Sequence, residues 1–471
     1  MTTASGWSAL LWGRNGLRSV ALAGGVALHA INVYLVTTIL PSVVKDIGGL
    51  DYYAWNTTLF VVASIIGSVV SAKCLSALGP RLAYSLAGLV FALGCGVCSS
   101  APDMAVLVLG RTIQGLGGGL LFALPYSMIR LVFNQTLWPR AMALISGMWG
   151  AATLIGPAVG GVFAQYDAWR AAFWALIPVT LLFMLLAWAM LPGKRVEASP
   201  RLVLPWLQLL LLTGVVMAIA LGSIKPSPLY NALGLVIGLV LLYAVYRVES
   251  SDRHRMLPKH SLSPGSALLP IYLSMSLMVI GMTSEVFVPY FLQVLHLQTP
   301  LVAGYIAALM AAGWTLGALY SSGLALASAN RAICCGPVFV VSGLALAAVC
   351  VPQSGSSLIS LTGVSLAMIG VGTGIGLAWP HLLTRVLANV PDSEKDIAGA
   401  SITTVQLIAT AIGAALAGMI ANMAGLSATG GVEGAANAAA NAAAWLFGLY
   451  AVLSALLFIT VRQVIAHSAK R

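Results

Sequence analysis

The segment LVLGRTIQGLGGG, Leu107 to Gly119, decides how the rest of the chain is read. It sets one arginine, Arg111, in a run otherwise apolar enough to be buried in a membrane, three residues before Gln114 and just upstream of Gly115, Gly118 and Gly119. Pro102 and Asp103 mark the start of this helix about two turns earlier. A charge at bilayer depth costs ~3 kcal/mol even on the lenient insertion scale. Arg111 therefore either snorkels from near the helix end to the headgroups or faces a partner or a wet cavity. The glycines favour the second reading, because small residues let a neighbouring backbone approach the arginine's face.

Composition agrees with a buried segment of this kind. The 471 residues are 60% hydrophobic and 7% charged, too little polar surface for a soluble domain. Apolar runs of about 20 residues recur and are continuous, which predicts an all-α integral membrane protein and argues against the short alternating strands of a β-barrel. The net charge of +11 is scattered over short loops, so it reads as membrane orientation and not as a nucleic-acid stripe. The six cysteines lie in or at the edge of apolar runs and read as small buried hydrophobes. Cys95 and Cys98 have redox-motif spacing, yet no His or carboxylate stands beside them. Met1 to Arg18 lacks a cleavable signal pattern, so the apolar run that follows reads as a retained first helix.

Hydropathy predicts fourteen helices, beginning 18–41, 55–78, 82–100, 104–129, 141–165 and 170–191 and ending with 443–465. An even number puts both termini on one side. With the termini cytoplasmic, only Lys45, Arg170 and Lys225 of the 23 Lys and Arg fall outside, and all the others except Arg111 fall inside. Basic, Pro-containing stretches at Pro192–Pro205 and Arg247–Gly265 bracket two helices that stand apart. The predicted organisation is a six-helix bundle in 1–192, a linker with two extra helices in 193–266, and a second six-helix bundle in 267–471. Repeated halves of this kind are built for alternating access. Gly425–Ala444, on the outside, is either a flexible loop or a short amphipathic helix.

Several other motifs carry chemistry. His29 and Asn32, three apart, share a face of the first helix and read either as interhelical hydrogen bonding or as the polar wall of a central cavity. Gly79 and Pro80 make a tight turn before Arg81. Gly156, Pro157, Gly160 and Gly161 combine a small-residue surface with a bend, as expected of a close helix pair able to rock.

On these motifs the chain resembles the major facilitator superfamily, specifically its fourteen-helix drug:proton antiporter branch. Arg111, Gln114 and Gly115 match the fourth-helix motif. Gly156 to Gly161 looks like the antiporter motif of the fifth helix, and Trp169-Arg170 with Phe173 and Pro178 is similar to the signature before the sixth. Leu40-Pro41 and Trp55 fit as well, and Ala400 to Gly418 extends the likeness more weakly. Two places depart from the pattern. Ser76 stands where the turn motif has an aspartate, and Asn32 where the first helix often has an acid, so neither supplies the family's negative charge.

That leaves Glu285, in MSLMVIGMTSEVFVPYF, as the one carboxylate deep in a membrane run. A low-dielectric surrounding favours the neutral form of a carboxylate, so Glu285 is the expected proton carrier, with Arg111 as its electrostatic counterpart in proton coupling. The structural alternative is a glutamate that merely holds helices together. Met282, Phe287, Tyr290, Trp314 and Trp379, with His29, Asn32 and Gln114, are the expected cavity lining; the alternative for the aromatics and the methionine is packing or an interfacial belt. His381 reads as a capping histidine.

The resemblance implies a proton-coupled exporter of small organic compounds, a drug or multidrug antiporter. It would need no cofactor beyond the proton gradient. Its partners would be substrate, protons and the bilayer of the bacterial inner membrane, with no nucleic acid, and it would act as a monomer. Export of an endogenous metabolite, siderophore or lipid fits the same scaffold. A membrane-embedded transferase would need clustered His, Asp or Glu near one membrane face, and the six histidines are dispersed. A sensor that has lost transport is the remaining alternative, suggested by Ser76 and Asn32. No phosphate-binding Gly-x4-Gly-Lys-Ser/Thr loop occurs, which argues against ATP-driven transport.

Overall fold

The structure is a computed structural model that describes residues 7–193, 205–224, 227–251, 255–324, 326–426 and 431–469. Of the basic residues that set the orientation, Lys194, Arg195, Arg201, Lys225, Arg253, Lys470 and Arg471 lie outside the described residues, as do 427–430 of the outer stretch. The described elements are helical: α1 (Trp7–Leu11), α2 (Gly13–Ile47), α3 (Trp55–Ser99), α4 (Met104–Val132), α5 (Trp138–Gln165), α6 (Trp169–Met190), α7 (Trp206–Gly222) and α8 (Pro228–Glu249). They continue with α9 (Leu268–Met282), α10 (Val288–Val294), α11 (Pro300–Ser322), α12 (Leu326–Cys350), α13 (Leu358–Ala388), α14 (Lys395–Met423), α15 (Gly431–Ala455) and α16 (Leu457–Ala469). Among the described residues twelve helical stretches are long and apolar enough to cross a membrane, and Trp206–Gly222 is a shorter apolar helix.

One of the twelve, Leu50–Ser99, runs for 50 residues. At 1.5 Å per residue that is roughly 75 Å, more than twice a hydrocarbon core of about 30 Å. Its interior is broken at Gly79, where φ is 78° and ψ 168°. A side chain is strained at such a positive φ, so the glycine, followed by Pro80, makes the break. The Ala/Asn run of Gly425–Ala444 is helical from Gly431 onward and continues directly into the last span. Ala439, Ala442 and Ala443 are fully buried there, and Asn441 Nδ2 donates to Ala424 O at 2.8 Å.

The chain divides into two compact units, one of residues 1–49 with 59–204 and one of 50–58 with 205–471. In the first, the glycines of α4 let three neighbours close in. A Cβ on Gly115 would lie 2.2 Å from Phe60 O, one on Gly119 2.1 Å from Ser64 O, and one on Gly117 2.3 Å from Phe91 N. Gly118 meets the ring of His29. Ser64 Oγ and Ser68 Oγ then donate to Gly115 O and Gly119 O, bonds available only at this spacing. Gly156 and Gly160 of α5 do the same against Tyr34 and Leu35 of α2. Pro157 and Gly161 are buried in that stretch.

Basic residues satisfy helix ends in this unit. Arg81 Nη2 donates to Leu191 O at 3.2 Å, past the end of α6, and Arg18 Nη1 to Val132 O at 3.3 Å, at the end of α4. At the opposite end, Asp46 Oδ2 accepts from Arg170 Nη1 at 2.5 Å and from Trp169 Nε1 at 3.1 Å, while Arg170 Nη2 donates to Ala101 O at 3.0 Å. The Trp-Arg pair thus ties the end of α2, the residues after α3 and the start of α6.

The second unit repeats the glycine device around α13. Gly372 and Gly376 pack on backbone of α11, with Gly313 and Gly317 answering from α11, and Gly374 packs on Gly336 of α12. The hairpin of α7 and α8 is held at both ends. Asn422 Nδ2 of α14 donates to Ser223 O and to Asp51 O, both at 3.1 Å. At the other end the Glu249 carboxylate accepts from the amides of Met256 and Leu257 at 2.7 and 2.6 Å. Glu394 takes the Lys259 amide at 2.8 Å and faces Arg255 at 3.6 Å.

Candidate functional site

In the first unit the polar residues of α2 and α4 meet. Arg111 Nη1 donates to Asn32 Oδ1 at 2.7 Å and to Gln114 Oε1, one turn along its own helix. Gln114 Nε2 in turn donates to Cys95 Sγ at 3.0 Å. The guanidinium lies 4.0 Å from the Phe60 ring centroid, a cation–π distance that strengthens when water is excluded. His29 stacks against Phe60 and Phe122 at 5.3 and 5.4 Å and meets Trp149 edge-on at 5.9 Å. Arg111 is 2% exposed, and Asn32 and Gln114 are fully buried, so the arginine does not snorkel. Of the two readings of its helix, the one with polar partners is found.

The second unit places Glu285 at a break. The predicted single helix 267–293 is α9, then a 3₁₀ turn Thr283–Phe287, then α10. Pro289 stands at the start of α10, where its missing N–H costs nothing. Glu285 is half-buried in the turn. Among the described residues its carboxylate meets no hydrogen-bond or ion-pair partner.

An aromatic cluster covers this turn. Phe287 stacks on Tyr53 at 4.9 Å and on Phe291 at 5.9 Å, Tyr290 meets Tyr53 edge-on at 5.5 Å, and Phe291 reaches Phe447 at 6.3 Å. Met282, half-buried, ends the helix just before the turn. Trp314 and Trp379 form a separate edge-on pair at 5.1 Å, linking α11 to α13. His381 Nε2 is 2.8 Å from Ser321 Oγ, a further link between the same two helices.

Sequence reasoning did not foresee three participants. Phe60 and Cys95 lack any local sign that they contact Arg111 and Gln114. Tyr53 sits in a short stretch between two spans, where an aromatic reads as an interfacial belt residue. Ser76, in the aspartate's place, turns its hydroxyl to Lys73 O of its own helix at 3.0 Å. Among the described residues no three His, Cys, Asp or Glu side chains are grouped to hold a metal ion. The chemistry on offer is a buried cation answered by amide oxygens in one unit and an unanswered acid among aromatic rings in the other.

Comparison with known proteins agrees with this architecture. The family model described as Major Facilitator Superfamily matches residues 22–414. A probable multidrug-efflux transporter of Mycobacterium tuberculosis is 40% identical over 410 residues, covering 85% of this chain and 86% of the relative. An efflux pump of Gibberella moniliformis is 27% identical over 428 residues, covering 84% and 72%. Among solved structures, the POT family transporter PepTSo aligns with a TM-score of 0.65 at 12% identity, covering 96% of this chain and 99% of its own. The D-xylose-proton symporter aligns with a TM-score of 0.65 at 14% identity, covering 95% and 97%. These two show the fold, and the sequence relatives show the kinship: the chain is a multi-pass membrane transporter that belongs to the major facilitator superfamily.

Proposed function

We propose that the chain is a proton-coupled exporter of small organic compounds, a drug or multidrug antiporter, in which Glu285 binds the proton. Alternating access would move a six-helix bundle (1–192) against another (267–471), with 193–266 contributing two extra helices. Fourteen crossings follow if Leu50–Ser99 crosses twice and Trp206–Gly222 once; the latter, at roughly 26 Å, is short enough to thin the bilayer locally. The positive-inside distribution supports cytoplasmic termini, and the membrane on this reading is a bacterial inner membrane. On this reading the chain works as a monomer, draws on the proton gradient and needs no cofactor.

The efflux part is supported by the relative that is 40% identical over most of both chains. The coupling part is carried by one observation: Glu285 is a carboxylate in an apolar span, at a helix break, with no partner among the described residues to hold it in one charge state. Everted membrane vesicles energised by respiration test both. Addition of a transported compound from a panel of lipophilic dyes and antibiotics should collapse part of the pH gradient, and nigericin should abolish compound uptake. Transport that persists unchanged without the pH gradient would overturn the coupling, and absence of uptake across the panel would overturn drug efflux in favour of a narrower cargo.

A further inference from the structure

Buried polar groups are hydrogen-bonded as a rule, and inside a membrane the rule is stricter because no bulk water can substitute. The single-donor side chains of this chain mostly obey it. Tyr84, Tyr272 and Tyr450 bond to Ala21 O, Ser401 Oγ and Gly413 O. Trp138 and Trp169 donate their indole N–H to Phe133 O and Asp46. Thr37, Thr38, Thr112 and Thr180 turn their hydroxyls to the carbonyl four residues back.

Within the six residues Tyr53–Thr58, three side chains break the rule at their only polar atom. Tyr53 OH, Trp55 Nε1 and Thr58 Oγ1 are buried and have no hydrogen-bond partner among the described residues. Most other orphaned atoms sit on side chains that bond through a second atom, as Arg81 does through Nη2 and His296 through Nε2. Gln293 is an exception, with an orphaned Nε2, and it lies on α10 one turn beyond Tyr290.

One of these unanswered donors, Tyr53, packs on the turn that carries the unanswered acceptor. Tyr53 touches Phe287 and Tyr290, which flank Glu285 in sequence, and all of these belong to one compact unit. The helices packed on the turn are α9, α10, α14 and α15. Their titratable groups are Tyr272, Tyr290 and Tyr450, with Lys395 and Asp396 at the start of α14 and Glu433 at the start of α15. Tyr272 and Tyr450 are already bonded, which leaves Tyr53 and Tyr290 as the unbonded phenols on the elements around the turn. Donors on one side, an acceptor on the other and no direct bond between them is the pattern that water completes.

We propose that Tyr53, Trp55 and Thr58 line a hydrated passage through which a proton from the outer side reaches Glu285, with Tyr53 positioning the water next to the carboxylate. The inference rests on Glu285 being the coupling acid. An outer hydronium gives its proton to a water bonded to the Tyr53 oxygen. The next water in line passes one proton to a Glu285 oxygen, and the carboxylate becomes a neutral acid. Tyr53 ends with the proton count it began with, and the proton carried by Glu285 leaves when the site opens inward. Trp55 can only donate and Thr58 both donates and accepts, so they orient waters without storing a proton.

The test is a pH jump on the outer face of proteoliposomes adsorbed to a solid-supported membrane, read as the transient current and needing no substrate. Tyr53→Phe keeps the ring and removes the hydroxyl. The transient should slow about tenfold, the worth of one well-made hydrogen bond, with its amplitude unchanged. Trp55→Phe should slow it less, and both variants should unfold at the wild-type temperature. Glu285→Gln should abolish the transient. A Tyr53→Phe transient at the wild-type rate, with Glu285→Gln silent, overturns the passage and leaves Glu285 as the coupling acid. A wild-type transient in Glu285→Gln overturns the coupling reading itself and the passage with it.

Discussion

Arg111 and Glu285 are both ionisable groups at membrane depth, each in its own unit, and their surroundings are built in opposite ways. Around Arg111 the chain brings two amide oxygens, an aromatic face and a helix stripped to glycine so that neighbours can press in. Around Glu285 the helix is broken, and among the described residues the carboxylate has no partner, while the neighbouring Phe287 stacks on Tyr53. A charge fixed by several partners is expensive to change and suits a structural pivot. A charge with none would be free to be lost and regained if its access to water alternated, as the proposed function requires. On the proposed function, the contrast gives rigidity to α4 and titration to the turn before α10.

The packing side of the contrast breaks most completely at the glycines. Gly115→Leu should prevent assembly, because even its Cβ would overlap the Phe60 carbonyl of a neighbouring helix, and backbone cannot step aside cheaply. Fluorescence-detected size exclusion should show little monodisperse protein, whereas Ser68→Ala, which loses one hydrogen bond at the same contact, should elute normally. Next comes the arginine. Arg111→Met leaves Asn32 Oδ1 and Gln114 Oε1 buried and unanswered and should cost about 2–4 kcal/mol, seen as a lower unfolding temperature in detergent. Arg111→Lys should recover only part, since an ammonium cannot match the planar fork.

Glu249→Gln addresses a different anchor. It weakens two charge-assisted bonds to the Met256 and Leu257 amides by about 1–2 kcal/mol. Hydrogen exchange should speed up over 255–259 and stay unchanged in α4. The smallest stability effect is expected at the acid proposed to carry the proton. Glu285→Gln removes no partner bond and should leave the unfolding temperature within the shift of about 0.5 kcal/mol typical of a harmless substitution. A large destabilisation there would mean that Glu285 is a structural member like Arg111, and the contrast would disappear.

The two sites were unequally legible in the sequence. Arg111, Gln114 and the glycines announce themselves because their spacing along one helix is local information, and Asn32 could be flagged as a polar residue in an apolar run. Its pairing with Arg111 joins residues 79 positions apart, as the bond from Gln114 to Cys95 joins residues 19 apart, and no periodicity encodes such contacts. Glu285 stood out as the lone deep acid, and Pro289 hinted at the break that frames it. Tyr53 was invisible for a physical reason: its importance lies in what it fails to bond, and a sequence shows donors without showing whether they are used. The Trp169-Arg170 pair was recognised as a motif, yet its acceptor, Asp46, looked like any loop acid.

Proton release on substrate binding tests the account most directly. Purified protein in weakly buffered detergent solution, given a transported compound found in the vesicle assay, should acidify the medium as the compound displaces the proton from Glu285. Glu285→Gln should bind the compound and release nothing. Release of the wild-type amount of acid by Glu285→Gln would contradict the assignment of the coupling proton to this carboxylate.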